Sequence, residues 1–199
     1  MALDLLWLSL TLLGILQIQA SGKIHVPRSM KINLSKIHLE SNFNEDRFQG
    51  KWYALAVAEN TIQNGSDSQF QMYSSTFYLN DDHSYNVTTK RHKGRVCDCR
   101  IMTLVPSYVP GQFELDNIKC YPGILLYTMR VSFTNYNQYA LIFVKMQFKH
   151  ILFYEATLYG RTKHLNADLK DRFIDFATFI GFNEENMIFH DPVEECIDN

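Results

Sequence analysis

The sequence predicts an all-β chain, with eight antiparallel strands closing into an up-and-down barrel and one carboxy-terminal helix packed on its wall. Three observations lead there. Between Lys51 and Tyr159, segments of six to ten residues rich in Val, Ile, Thr, Tyr and Phe recur between turn signals at intervals of about a dozen residues. The connections are short enough for hairpins in meander order, and closure removes the exposed edges that eight strands in an open sheet would leave. After Tyr159 the apolar period changes from two residues to between three and four, the spacing of a helix.

The strands follow in order. "WYALAVA" makes the first, and "FQMYSSTFYL" and "SYNVTTKRH" flank the turn Asn80-Asp81-Asp82-His83. "VCDCRIMTLV" and "GQFELDNIK" flank "PSYVPG"; "ILLYTMRVSF", "QYALIFVKM" and "HILFYEATLYG" are joined by "TNYN" and by a turn near Lys149. In "NADLKDRFIDFATFIGF", Leu169, Phe173, Phe176, Ala177 and Ile180 recur at helical spacing, Asn166 is placed to cap the amino terminus, and Gly181 stands where a left-handed residue ends a helix.

The first twenty residues, "MALDLLWLSLTLLGILQIQA", form an apolar core followed by Ile18 and Ala20 at the positions a signal peptidase reads. Residues 1–20 are therefore expected to be a secretory signal peptide, too short for a membrane anchor. Residues 21–39 read as a flexible amino-terminal arm and residues 40–199 as one domain, since no linker, repeat or low-complexity segment interrupts them. The chain is expected to be secreted and extracellular. Sequons at Asn33, Asn64 and Asn86 fit glycosylation in that compartment. A net charge of −2 with no basic run argues against nucleic acid as a partner.

Four cysteines, Cys97, Cys99, Cys120 and Cys196, in an oxidising compartment read first as disulfides, with three pairings open. The Cys97-Asp98-Cys99 spacing lacks the C-x-x-C of a redox pair, and no nearby motif supplies the further ligands a zinc site needs. No metal and no cofactor is expected. Side chains two apart on a strand share a face, so Cys97 and Cys99 point one way and Arg100 and Met102 the other.

Three motifs resemble the lipocalin family: "FQGKWYAL" carries its G-x-W at the start of the first strand, "TNYNQYALIF" is similar to its T-D-Y turn with Asn135 in place of Asp, and "LYGR" puts Arg161 just after the last strand. Their order and separation make the resemblance specific over residues 40–199. It implies that Gly50, Trp52 and Arg161 are structural, the arginine stacking on the tryptophan to close the barrel floor. It also implies a disulfide between Cys97 and Cys196. If the hairpin closes around Pro110-Gly111, Cys99 falls opposite Cys120, leaving either a second bridge outside the barrel or two surface thiols.

Alternation, together with the family's pocket positions, gives the expected ligand-binding set: Tyr73, Ser75, Thr89, Arg91, Arg100, Met102, Tyr121, Tyr127, Val144, Met146, Phe153, Glu155, Thr157 and Tyr159. Phe153 and Tyr159 are as readily read as barrel filling. The aromatic and thioether lining suits one small apolar ligand. Siderophore-binding members of the family use three basic side chains inside the cup, and the matching positions here hold Met102, Met146 and Glu155. Arg91 and Arg100 face inward instead, where either could pair with Glu155 or hold an acidic headgroup.

The expected function is a secreted, monomeric carrier of a small hydrophobic, carboxylate-bearing molecule, retinoid- or fatty-acid-like, with a cell-surface receptor as a further partner class. The alternative is a siderophore-sequestering innate-immunity protein. An enzyme is not expected, because no cysteine should point inward and no catalytic triad or paired inward carboxylate presents itself.

Overall fold

The computed structural model describes Ile32, Ser35 and residues 37–62, 71–93, 96–149, 151–193 and 196–198. A single-turn helix α1 (Glu45–Phe48) leads into β1 (Gly50–Glu59), followed by β2 (Ser74–Leu79), β3 (Tyr85–Lys93), β4 (Val96–Pro106), β5 (Gln112–Leu115), β6 (Ile124–Thr134), β7 (Tyr139–Phe148) and β8 (Ile151–Gly160). Each strand pairs antiparallel with the next, and β1 pairs with both β2 and β8, which closes the barrel. Helix α2 (Ala167–Ile180) follows, then β9 (Met187–Phe189), which adds to the free edge of β1 beyond the point where β2 leaves it. The apolar pattern of the sequence does not mark α1 or β9. No helix among the described residues is long and apolar enough to cross a membrane.

The apolar residues divide between two layers. Inside the barrel, Phe48, Trp52, Phe77, Tyr85, Phe113 and Val131 form the floor. Outside it, Leu55, Ala56, Ala58, Leu141, Phe143 and Tyr154 meet Phe173, Phe176, Ala177 and Ile180 of α2. The helix ends are set as the sequence suggests: the Asn166 side chain accepts from Leu169 N at 2.9 Å, and Gly181 takes a left-handed φ of 112°. Of the arm read as flexible, Ile37 is buried against the outer layer and His38 stacks on Phe133 at 4.6 Å, so these residues are docked by apolar contact. The signal-peptide segment, Asn33 and Asn64 lie outside the described residues. Asn86 sits within β3, donating to Asn80 Oδ1 at 3.1 Å and accepting from Thr103 Oγ1 at 2.9 Å.

The floor rests on Arg161. Its guanidinium lies 3.6 Å from the Trp52 ring centroid and donates to the carbonyls of Tyr136, Lys51 and Gln49, each at 2.9 Å. Trp52 is fully buried and its indole N–H donates to Phe48 O at 2.8 Å. Gly50 has a φ of 94°, and a Cβ there would stand 3.2 Å from Arg161 Nη1, so the turn from α1 into β1 suits glycine on both counts.

Cys97 and Cys196 are bridged, tying β4 to the carboxy-terminal segment. The alternative of a second bridge between Cys99 and Cys120 is not realised: both are free and exposed. The cause is the length of β5. The ladder between β4 and β5 ends at the Leu104–Leu115 pair, Asn117 then turns with a φ of 44°, and Ile118–Cys120 form a 3-10 turn instead of continuing the strand. Cys99 instead faces Lys90 in the β3 ladder.

Candidate ligand-binding site

The open end of the barrel holds a cavity of about 480 Å³ bordered by residues from all eight strands. Thr89, Arg100, Met102, Val144 and Met146 reach it by strand alternation on β3, β4 and β7; Tyr121 and Tyr127 come from the turn before β6 and from β6 itself. Tyr73 lies just before β2, Ser75 on β2, and Phe153, Glu155, Thr157 and Tyr159 alternate along β8. With Arg91, all fourteen residues singled out from the sequence border this one cavity. Phe153 and Tyr159 are buried in its wall, so both contribute filling as well as lining.

Hydroxyl groups form a ladder across one side. Thr89 Oγ1 and Ser75 Oγ are 3.0 Å apart, Ser75 Oγ and the Tyr159 hydroxyl 3.3 Å, and the Tyr159 hydroxyl donates to that of Tyr73 at 3.4 Å. Thr157 Oγ1 donates to Glu155 Oε1 at 2.8 Å. Enclosure by the barrel raises the pKa of Tyr73 and Tyr127, and pushes Tyr159 up to about 12, so these phenols are neutral hydrogen-bonding groups at physiological pH.

The charged groups are arranged differently from the sequence expectation. Arg91 does not pair with Glu155: its Nε and Nη2 both donate to Asp98 Oδ2 at 3.1 Å. Arg100 Nε lies 3.8 Å from the same oxygen. Asp98 is on the same face of β4 as Arg100 and is buried, so two guanidiniums share one carboxylate and the trio carries an excess positive charge. Burial, with Arg91 as a like-charged neighbour, lowers the Arg100 pKa to about 10, which leaves it cationic at pH 7.

Glu155 has another partner, Glu59, which is absent from the lining expected from the sequence. A bulge in β1 shifts its register against β8 between Ala54 and Ala56. Below it Trp52 and Ala54 point into the barrel; above it Val57 and Glu59 do. Uninterrupted alternation from Trp52 would have turned Glu59 outward. Glu59, 2% exposed, instead stands opposite Glu155 in register, and the two carboxyls are hydrogen-bonded. The expectation of no paired inward carboxylate is therefore corrected. Burial raises the Glu155 pKa.

Two further residues enter unannounced. His190, one residue past β9, borders the cavity. Cys120, expected on the outer face, stands in the 3-10 turn and edges the mouth while remaining exposed, because the strand that would have carried it outward has ended.

A closed eight-stranded barrel with a floor sealed by Arg161 on Trp52 and a wide apolar cup above it defines a small-molecule-binding protein. The family model "Lipocalin / cytosolic fatty-acid binding protein family" matches residues 49–194, and the chain belongs to that family. It is 43% identical to human neutrophil gelatinase-associated lipocalin over the full length of both chains. It is 29% identical to mouse prostaglandin-H2 D-isomerase, covering 98% of each. Among solved structures, lipocalin 12 from rat epididymis superposes with a TM-score of 0.73 at 26% identity, covering 84% of this chain and 95% of that one. The family binds small hydrophobic molecules, and the cup has the volume to admit one.

Proposed function

We propose that this chain is a secreted carrier holding one small hydrophobic, carboxylate-bearing molecule, retinoid- or fatty-acid-like, in its cup. The observation that carries the reading is the Arg91–Asp98–Arg100 trio: two cations and one carboxylate at the edge of a cavity lined by Met102, Met146, Tyr127 and Phe153. A ligand carboxylate meets net positive charge there, while the thioether and aromatic surface takes its apolar body. Secretion is supported by the leader-like first twenty residues and by the bridged Cys97 and Cys196, a pairing that persists in oxidising compartments.

Fluorescence titration with a long-chain fatty acid and the matching alcohol tests the reading. Tighter binding of the acid, lost on replacing Arg91 or Arg100 with Met, is the expected result. Ferric-catecholate binding tighter than that of the acid would overturn it in favour of siderophore capture, which the thioethers Met102 and Met146 and the carboxyl of Glu155 disfavour.

A second reading, an isomerase, rests on the thiol of Cys120 at the cavity mouth. Turnover of a prostaglandin endoperoxide that disappears in Cys120→Ser would favour it over the carrier.

A further inference from the structure

The wall opposite in charge to the arginines is built as an acceptor surface. Glu59 on β1 and Glu155 on β8 face each other across the ladder, hydrogen-bonded carboxyl to carboxyl, and both border the cavity. Such a bond requires one of the two to hold a proton, so the pair carries one proton and one negative charge. Thr157 Oγ1 donates to Glu155 at 2.8 Å and Thr61 Oγ1 to Glu59 at 3.1 Å, which orients both carboxyls.

A second, independent feature of the same cup asks for a donor. His190 is 6% exposed and borders the cavity; its Nδ1–H donates to Ala54 O at 2.9 Å, which leaves Nε2 as an acceptor, and that nitrogen has no hydrogen-bond partner among the described residues. Tyr73 links the two features, its ring 6.3 Å from that of His190 and 6.1 Å from that of Tyr159. Tyr127 and Tyr159 lie close enough to Glu155 to feel its charge. Carboxylate, imidazole acceptor and phenol rings together are the environment that stabilises an organic ammonium.

We propose that the Glu59–Glu155 pair is a second headgroup site of the cup, one that takes the protonated primary amine of an amphipathic ligand. The proposal rests on the reading that the cup holds an amphipathic molecule. With its amine on this wall the ligand places its acid group on Arg91 and Arg100, so the carboxylate-bearing molecule of the proposed function also bears an amine. An ammonium between two carboxylates replaces the shared proton: the carboxyl O–H bond breaks, its electron pair stays on oxygen, the proton leaves to solvent and no redox change occurs. One proton is released per ligand bound. Among the described residues facing the pair no other group supplies it: Tyr73, Tyr127 and Tyr159 hold their protons well above neutral pH, burial keeps His190 neutral, and the arginines stay charged.

Isothermal titration calorimetry of the wild-type protein at pH 7 with decylamine, decanol and decanoate, repeated in buffers of different ionisation enthalpy, tests this. Decylamine is expected to bind at least ten-fold more tightly than decanol and to release about one proton, while decanol and decanoate release none. Glu59→Gln and Glu155→Gln should each abolish the preference for the amine over decanol and the proton release. The wild-type proton count decides the question even if a variant fails to fold. An amine bound no more tightly than the alcohol, or bound without proton release, overturns the proposal; if decanol and decanoate still bind, the carrier reading stands. Failure of all three probes to bind removes both.

Discussion

The Arg161 guanidinium lies over the Trp52 ring, 3.6 Å from its centroid, while its nitrogens reach the carbonyls of α1 and of the turn between β6 and β7. One side chain thereby joins the strand that opens the barrel to the loop near its end. The cation lies over the ring face where the quadrupole attracts it, and its planar fork satisfies carbonyls that a lysine could not reach together.

Trp52→Ala is expected to cost about 3–5 kcal/mol in urea unfolding, the range for a large buried aromatic. Arg161→Lys should cost about 1–3 kcal/mol by leaving carbonyls unpaired. Ligand titrations on the folded fraction of either variant should still succeed. Unchanged stability with lost binding would make Trp52 a ligand contact instead.

Non-reducing peptide mapping should recover Cys97 joined to Cys196, and alkylation of the native protein should label Cys99 and Cys120 alone. Replacing both bridged cysteines with serine should lower stability by roughly 2–5 kcal/mol, the range for a native disulfide in a secreted domain.

The acid pair makes the stability of the empty protein depend on pH. Burial raises the folded pKa of Glu155 above its unfolded value, so the native state holds the proton more firmly. Such a group contributes stability that is full below the unfolded carboxyl pKa and is lost as pH rises through the folded one. Thermal unfolding of the empty wild type should therefore fall in midpoint from about pH 4 upward through this contribution. Glu155→Gln, which keeps a hydrogen-bonding amide and removes the titration, should melt higher at pH 7 and flatten the profile. A variant that melts lower at pH 7 would mean that the charged form is the stabilised one.

Arg91→Met should weaken a bound fatty acid by roughly 10- to 150-fold, the loss of a charge-assisted bond worth about 1.5–3 kcal/mol, and leave the alcohol almost untouched. Equal losses for acid and alcohol would remove headgroup recognition by this side chain.

The eight barrel strands and α2 were legible because alternation, turn residues and capping residues all agreed along each of them. The lining was legible wherever alternation ran unbroken: Arg100 and Met102 follow from Cys97, and Asp98 follows by the same parity, although its role as counter-ion to both arginines emerged only in three dimensions. Glu59 was illegible because a bulge leaves no mark in composition. Cys120 is misplaced by reading the turn-prone Asp116-Asn117 of "GQFELDNIK" as strand, whereas β5 ends at Leu115. His190 was missed because a three-residue strand after a helix is too short to display a period.

The bulge at Leu55 divides β1 into two halves with opposite numbering. Below it, the inward residue Trp52 belongs to the floor; above it, Val57 and Glu59 belong to the cargo space. Substitution at positions 57 and 59 can therefore reshape the cavity while the foundation at 52 stays as it is. Loss of the bulge with every residue kept would undo that separation, turning Glu59 to the outer face and leaving Glu155 without its partner carboxyl.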